Sequence, residues 1–185
     1  MSSLVGLARP EGANNRNQGH EKDPMTTKLD ITPAHDRELA LARIIDAPRE
    51  SVYRCWADTS LLQQWFAPKP WTVPRANMDM RTGGSSFVVM AGPDGNEFPN
   101  HGVFLDVVPG EKIVFTDAYS SAWEPSEKPF MVAVVTFDDE GKDKTRYTVR
   151  VRHWSVADRE QHEQMGFYQG WSQCADQLED VAKTL

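Results

Sequence analysis

The alternation of apolar and polar positions begins abruptly at Glu38. Leu39, Leu41, Arg43 and Ile45 alternate with smaller residues, the period-two pattern of a β-strand. Asp46-Ala-Pro-Arg-Glu then forms a helix start, with Pro48 in the first turn and Glu50 where the helix dipole favours a carboxylate. Val52, Cys55 and Trp56 keep helical spacing. A second short helix is predicted from Ser60 to Phe66, capped by Thr59 or Ser60 and stopped before Pro68. Strands are predicted next over 71–80, 84–90, 97–108, 112–119, 130–138 and 145–154, separated by turn sequences such as Pro93-Asp94-Gly95 and Pro109-Gly110. In the last of these, Tyr147, Val149, Val151 and His153 alternate with Thr148, Arg150 and Arg152, one dry face and one wet, as in an antiparallel sheet. Ser155 and Asp158 have the spacing of a capping box. Beyond them Phe167, Trp171, Cys174, Leu178, Val181 and Leu185 recur at steps of four and three along one face of a long amphipathic helix. His162, Gly166 and Gly170 form a neighbouring row. Two glycines cost a helix about 2 kcal/mol relative to alanines, so here they permit a close approach or leave space beside the helix. The order of elements predicts an α+β domain, its helices gathered on one face of a curved antiparallel sheet of six or seven strands.

Residues 1–36 lack this periodicity. Gly12 to Gly19 is polar throughout and prolines stand at Pro10, Pro24 and Pro33, so the stretch is read as a disordered tail or extension, with Met25 a sensible alternative start. A single domain is expected over 37–185. The eighteen aromatic residues all lie between Tyr53 and Trp171. A net charge of −7 argues against nucleic acid and anionic membranes, which call for clustered Lys and Arg. No apolar run approaches the ~18 residues of a membrane span, and the N-terminus lacks the basic-then-apolar pattern of a signal peptide. With only Cys55 and Cys174, at no metal-ligand spacing, a reduced and cytoplasmic protein is expected.

Few motifs carry chemistry. Arg81-Thr-Gly-Gly84 lacks the spacing of a phosphate loop and reads as a tight hairpin turn. Both cysteines sit on apolar helix stripes, where a thiol behaves as a small hydrophobe. There is no GxSxG, dinucleotide fingerprint or Walker sequence, so no catalytic residue, cofactor or metal is assigned. His101, His153 and His162 come from three separate elements, more consistent with satisfied or exposed side chains than with a metal site or general base. Of these, His153 falls on the apolar face of its strand and His101 is a candidate cavity neighbour. Asp117, two residues after Phe115, needs a partner if it faces inward, with Arg43 one candidate; a structural ion pair and a polar ligand anchor both remain open. Trp65-Phe66-Ala67-Pro68 with Trp71 reads as an apolar lid or the mouth of a pocket.

Six segments in order give the chain a resemblance. These are Ala47-Pro-Arg-Glu-Ser-Val-Tyr-Arg-Cys-Trp56, Leu61-Leu-Gln-Gln-Trp-Phe-Ala-Pro68, Asp79-Met-Arg-Thr-Gly-Gly84, Gly102-Val-Phe-Leu-Asp-Val-Val-Pro109, Val114-Phe-Thr-Asp117 and Gly166-Phe-Tyr-Gln-Gly-Trp171. From about Glu38 to Leu185 the chain resembles the family homologous to the C-terminal domain of the activator of the heat-shock-protein-90 ATPase, within the START-like, polyketide-cyclase (SRPBCC) superfamily. The resemblance implies a helix-grip fold and a deep cavity between the sheet and the C-terminal helix. On that fold the candidate ligand-binding residues are Trp65, Phe66, Trp71, Phe87, Phe98, His101, Phe115, Asp117, Tyr119, Trp123, His153, Phe167 and Trp171. The function it implies first is binding of a small hydrophobic or aromatic molecule (lipid, polyketide or similar) by a carrier or sensor, as monomer or homodimer. One alternative is a cyclase, dehydratase or hydrolase using His101, Asp117 or Tyr119. The other is contact with the heat-shock chaperone, although the activator itself carries a further N-terminal domain. Function sits in a site and not in a fold, so the resemblance selects no single reaction.

Overall fold

A computed structural model of the chain describes residues 27–185; the expectations for residues 1–26 lie outside the described residues. The elements run β1 (Thr27–Leu29), β2 (Glu38–Ile45), α1 (Arg49–Ala57), α2 (Thr59–Leu62), β3 (Thr72–Met78), β4 (Ser85–Ala91), β5 (Glu97–Val108), β6 (Lys112–Thr116), β7 (Tyr119–Ser121), β8 (Glu124–Pro125), β9 (Met131–Asp139), β10 (Thr145–His153), α3 (Val156–Gln164) and α4 (Phe167–Ala182). Eight of the described strands form one antiparallel sheet in the order β1-β2-β10-β9-β6-β5-β4-β3, and β7 with β8 makes a separate hairpin. The sheet is one strand larger than its pattern predicts because Thr27–Leu29, within the stretch read as a tail, pairs with β2.

The predicted alternation sets the core. Leu39, Leu41 and Ile45 of β2, Met131, Ala133, Val135 and Phe137 of β9, and Tyr147, Val149 and Val151 of β10 join one buried cluster beneath the helices. From α4, Phe167, Cys174, Ala175, Leu178 and Ala182 enter the same cluster. The buried stripe thus departs from prediction toward its C-terminal end. Ala175 and Ala182 are buried, while Val181 is only half-buried and Leu185 is exposed. Small side chains let the helix lie close against α1 and β2, and the larger Val181 and Leu185 are left at its flank.

The C-terminal segment is two helices and not one. Ser155 and Asp158 form the predicted capping box on α3, each side chain bonding the other residue's main-chain N–H. The helix stops at Met165, and Gly166 adopts φ 95° as the N-cap of α4. That left-handed conformation is open to glycine and strained for other residues. Gly166 is therefore a break between helices, not a small residue within one. A second correction concerns α2, which is capped by Asp58: its side chain accepts from Ser60 N at 2.9 Å, ahead of either predicted cap. Gly83 takes φ 79° in the Arg81–Gly84 turn, as its hairpin reading requires.

Candidate functional site

The residues joining α2 to β3 form a lid beside α4. Trp65 is buried to 1% exposure and its Nε1–H donates to Cys55 O at 2.9 Å, tying the lid to α1. Its ring lies 5.0 Å from Trp56 and 5.4 Å from Phe66, both edge-on, a geometry favoured by the ring quadrupoles. The other side is held by α4. Gln177 Nε2 donates to Trp65 O and Ala67 O, both at 2.8 Å, and its Oε1 accepts from Lys69 N at 3.2 Å. Gln173 Nε2 donates to Lys69 O at 3.1 Å, and Cys174 Sγ donates to Phe66 O at 3.4 Å. Positions 173, 174 and 177 share one face of a helix, so one turn of α4 grips the main chain of the lid.

Between lid, sheet and α4 lies a cavity of about 40 Å³, lined by Trp65, Phe66, Pro68, Met90, Phe115, Met131, His162, Gly170, Trp171 and Cys174. Phe66, Phe115 and Met131 separate it from a second chamber of about 20 Å³, which Ser86, Val88, Asn100, His101, Gly102, Thr116 and Asp117 complete. A water molecule needs at least about 10–15 Å³ on such a scale, so the space is much smaller than the deep cavity the resemblance implies. Gly102 lines the second chamber, where β5 runs so close to β6 that a Cβ would meet Thr116 O at 2.6 Å.

The thirteen predicted residues divide into three groups. Trp65, Phe66, Phe115 and Trp171 line the first chamber, and Asp117 lines the second. Phe167 and His153 stand behind that lining, both buried. His101 borders the second chamber, and the structure places the other five elsewhere. His101 reaches the rim of the second chamber, but it is exposed and its ring stacks on Phe87 at 4.7 Å. Phe87 pairs with His101 across β4 and β5, whereas their neighbours Val88 and Asn100 pair on the cavity side. Side chains alternate between sheet faces, so Phe87 and His101 belong to the outer one. Trp71 packs against Phe98 at 5.3 Å, with Phe98 44% exposed, and Tyr119 packs against Trp123 in the β7–β8 hairpin, with Trp123 63% exposed. None of these four lines either chamber.

Asp117 does not pair with Arg43. Its Oδ1 accepts from Phe130 N at 2.9 Å and Met131 N at 3.0 Å, fixing the start of β9. Burial nevertheless raises its carboxyl above the ordinary aspartate range, opposed by these N–H bonds and by the nearby His153. Arg43 is buried as its strand pattern predicts, but the charge acting on it is Asp176 of α4. The thiol of Cys55 is pushed up to about 11 by burial and that of Cys174 further still, which leaves both unreactive small hydrophobes.

The group the sequence reading left out of the cavity is His162. It is fully buried on α3 and packs edge-on against Phe167 at 5.0 Å. His162 Nδ1 lies 2.8 Å from His153 Nε2, and His153 Nδ1 lies 3.1 Å from Arg37 O. Burial lowers the pKa of both rings, that of His162 to about 3. The signal for it was present in the row His162–Gly166–Gly170. A single continuous helix through that row conceals the break at Gly166. Met90 and Met131 were missed as well, being two of several apolar residues at unremarked strand positions. Among the described residues no cluster of three His, Cys, Asp or Glu could hold a metal ion, and no helix is long and apolar enough to cross a membrane.

The model of the family described as Activator of Hsp90 ATPase homolog 1-like protein matches residues 46–183. Among solved structures, a Nitrosomonas europaea protein is 36% identical, covering 80% of this chain and 96% of its own, with a TM-score of 0.77. A Mycobacterium smegmatis protein at 23% identity (84% and 96% covered, TM-score 0.70) shares the fold. So does an Arthrobacter aurescens protein at 21% (81% and 88%, TM-score 0.68). No curated protein matches the chain.

Proposed function

The chain belongs to the Activator of Hsp90 ATPase homolog 1-like family, and from that premise we propose that it binds a small hydrophobic or aromatic molecule between the lid and α4. The observation that carries this reading is the first chamber itself. Rings of Trp65, Phe66, Phe115 and Trp171 and the side chains of Met90 and Met131 surround a space with few polar groups, the usual composition of a ligand site. Gly170 supports it, because its missing side chain leaves room on the face of α4 that borders the chamber. The cavity is small, so a ligand the size of a benzene ring enters by displacing Phe66 and Trp171, both half-buried at the wall. Methionine thioethers fill irregular gaps and move readily, which suits such a site.

The test is a titration with phenol and toluene followed by NMR at the methyl groups of Met90 and Met131 and the indole of Trp171. Saturable shifts at all three are expected, and Gly170→Leu is expected to abolish them while the domain still unfolds cooperatively. Absence of saturable shifts in the wild-type chain, or shifts that survive Gly170→Leu unchanged, overturns the reading.

A further inference from the structure

Two buried polar atoms on residues that border the chambers have no hydrogen-bond partner: Nε2 of His162, beside the first, and Oδ1 of Asn100, beside the second. Leaving such an atom unpaired is costly, and native proteins rarely do so without a purpose. In each case a main-chain carbonyl decides the character of the orphan. Asn100 Nδ2 donates to Phe98 O at 2.9 Å, so the amide nitrogen is committed and the oxygen is left over. The histidine pair follows the same logic over two steps. Arg37 O can only accept, so the proton of His153 sits on Nδ1. His153 Nε2 is then a lone pair and takes its hydrogen bond from Nδ1–H of His162. A neutral imidazole has one N–H, so Nε2 of His162 is a bare lone pair. Burial keeps both rings neutral. Both orphans on the cavity lining are therefore acceptors.

We infer that the cavity selects molecules carrying a hydrogen-bond donor on an apolar body, a neutral phenol or alcohol, with His162 Nε2 accepting from the ligand hydroxyl. His162 is the specificity-determining residue, and His153 is the positioning residue that holds its tautomer. The inference rests on the proposed binding function and narrows it. Ethers, ketones and carboxylates of the same size present only lone pairs to a lone pair and are disfavoured there.

Two measurements test it. In the ligand-free wild-type chain, long-range proton–nitrogen NMR of the imidazoles should show His162 as the Nδ1–H tautomer; an Nε2–H tautomer overturns the inference without reference to any ligand. In binding, phenol and toluene are compared with wild type and His162→Phe, which keeps an aromatic ring and removes the acceptor. The ratio of toluene to phenol Kd should fall by about tenfold in the variant, the scale of one hydrogen bond to a buried acceptor. A ratio unchanged by the substitution overturns the inference and leaves the cavity as a binding site intact. Failure of both probes to bind the wild-type chain removes the binding function itself. Should His162→Phe not fold, His162→Leu, which also removes the acceptor, is measured in its place, with anisole as a third probe; equal affinity of the wild-type chain for phenol and anisole likewise counts against the inference.

Discussion

Two groups of aromatic side chains in this domain look alike by ring geometry and differ in everything else. Across α1, the lid and β6, Trp56, Trp65, Phe66 and Phe115 stand with centroids 5.0–5.9 Å apart. At the β3–β5 edge and in the β7–β8 hairpin, the pairs Phe87–His101, Trp71–Phe98 and Tyr119–Trp123 stand 4.7, 5.3 and 5.9 Å apart. Ring contact alone therefore marks no site. The first group is enclosed by α1, α4 and the concave face of the sheet, with its lid main chain hydrogen-bonded to α4. The second lies on the outer face, at the sheet edge or at exposed tips, with Trp71 also packing against the core cluster. Enclosure is what turns aromatic area into a wall.

That contrast can be broken in several ways. Trp65→Ala removes a buried indole and its bond to Cys55 O, and a loss of about 3–5 kcal/mol is expected in denaturant unfolding. Phe87→Ala should cost less than about 1 kcal/mol in the same measurement, and equal losses would erase the distinction. Gln177→Leu leaves the carbonyls of Trp65 and Ala67 and the N–H of Lys69 without their partner, at an expected cost of about 2–3 kcal/mol. Exchange of the Lys69 amide hydrogen should accelerate with it.

The histidines sharpen the comparison through pH. His162 has a pKa near 3 in the folded chain and about 6.5 unfolded, so the unfolded chain binds more protons between those values. Its neutral burial is fully tolerated above pH 6.5, and stability falls as the pH is lowered from there. About 2 kcal/mol should be lost between pH 6.5 and 5. His153 shifts in the same direction, moderated by Asp158 and Asp117 and reinforced by Arg159. The slope should flatten in His162→Phe, as read by denaturant midpoints across that range. The smallest effect belongs to Phe98→Ala and Trp123→Ala, each within about 0.5 kcal/mol and neither altering phenol affinity.

What the sequence made legible follows where its patterns were unambiguous. In β10, apolar Tyr147, Val149 and Val151 alternate with polar Thr148, Arg150 and Arg152, and the faces came out as expected. In β4, Phe87-Val88-Val89-Met90 is apolar at every position, so alternation could not say which residues face the helix. Val88 and Met90 join the core cluster, and Phe87 and its partner His101 go to the other face. A register shift between Phe104 and Asp106 further uncouples spacing from facing in β5. The family, the sheet and the gripping helix were all readable from motif order. Gly166 was seen but its left-handed φ was not, because glycine in a helical pattern is compatible with both a notch and a break. The pairing of His153 with His162 was hidden for a related reason. They stand nine positions apart, and only the corner between β10 and α3 brings the rings together.

The hold of Gln177, Gln173 and Cys174 on the lid has a kinetic consequence. A main chain hydrogen-bonded at Trp65, Phe66, Ala67 and Lys69 does not swing as a flap. On the proposed function, entry to the first chamber would then depend on rotation of the Phe66 and Trp171 side chains within a fixed frame. Such rotations are local events, faster than the microsecond-to-millisecond closures of hinged loops. A wall of this kind would open by the turning of single rings, and the residence time of the proposed ligand would then be set by its own contacts inside.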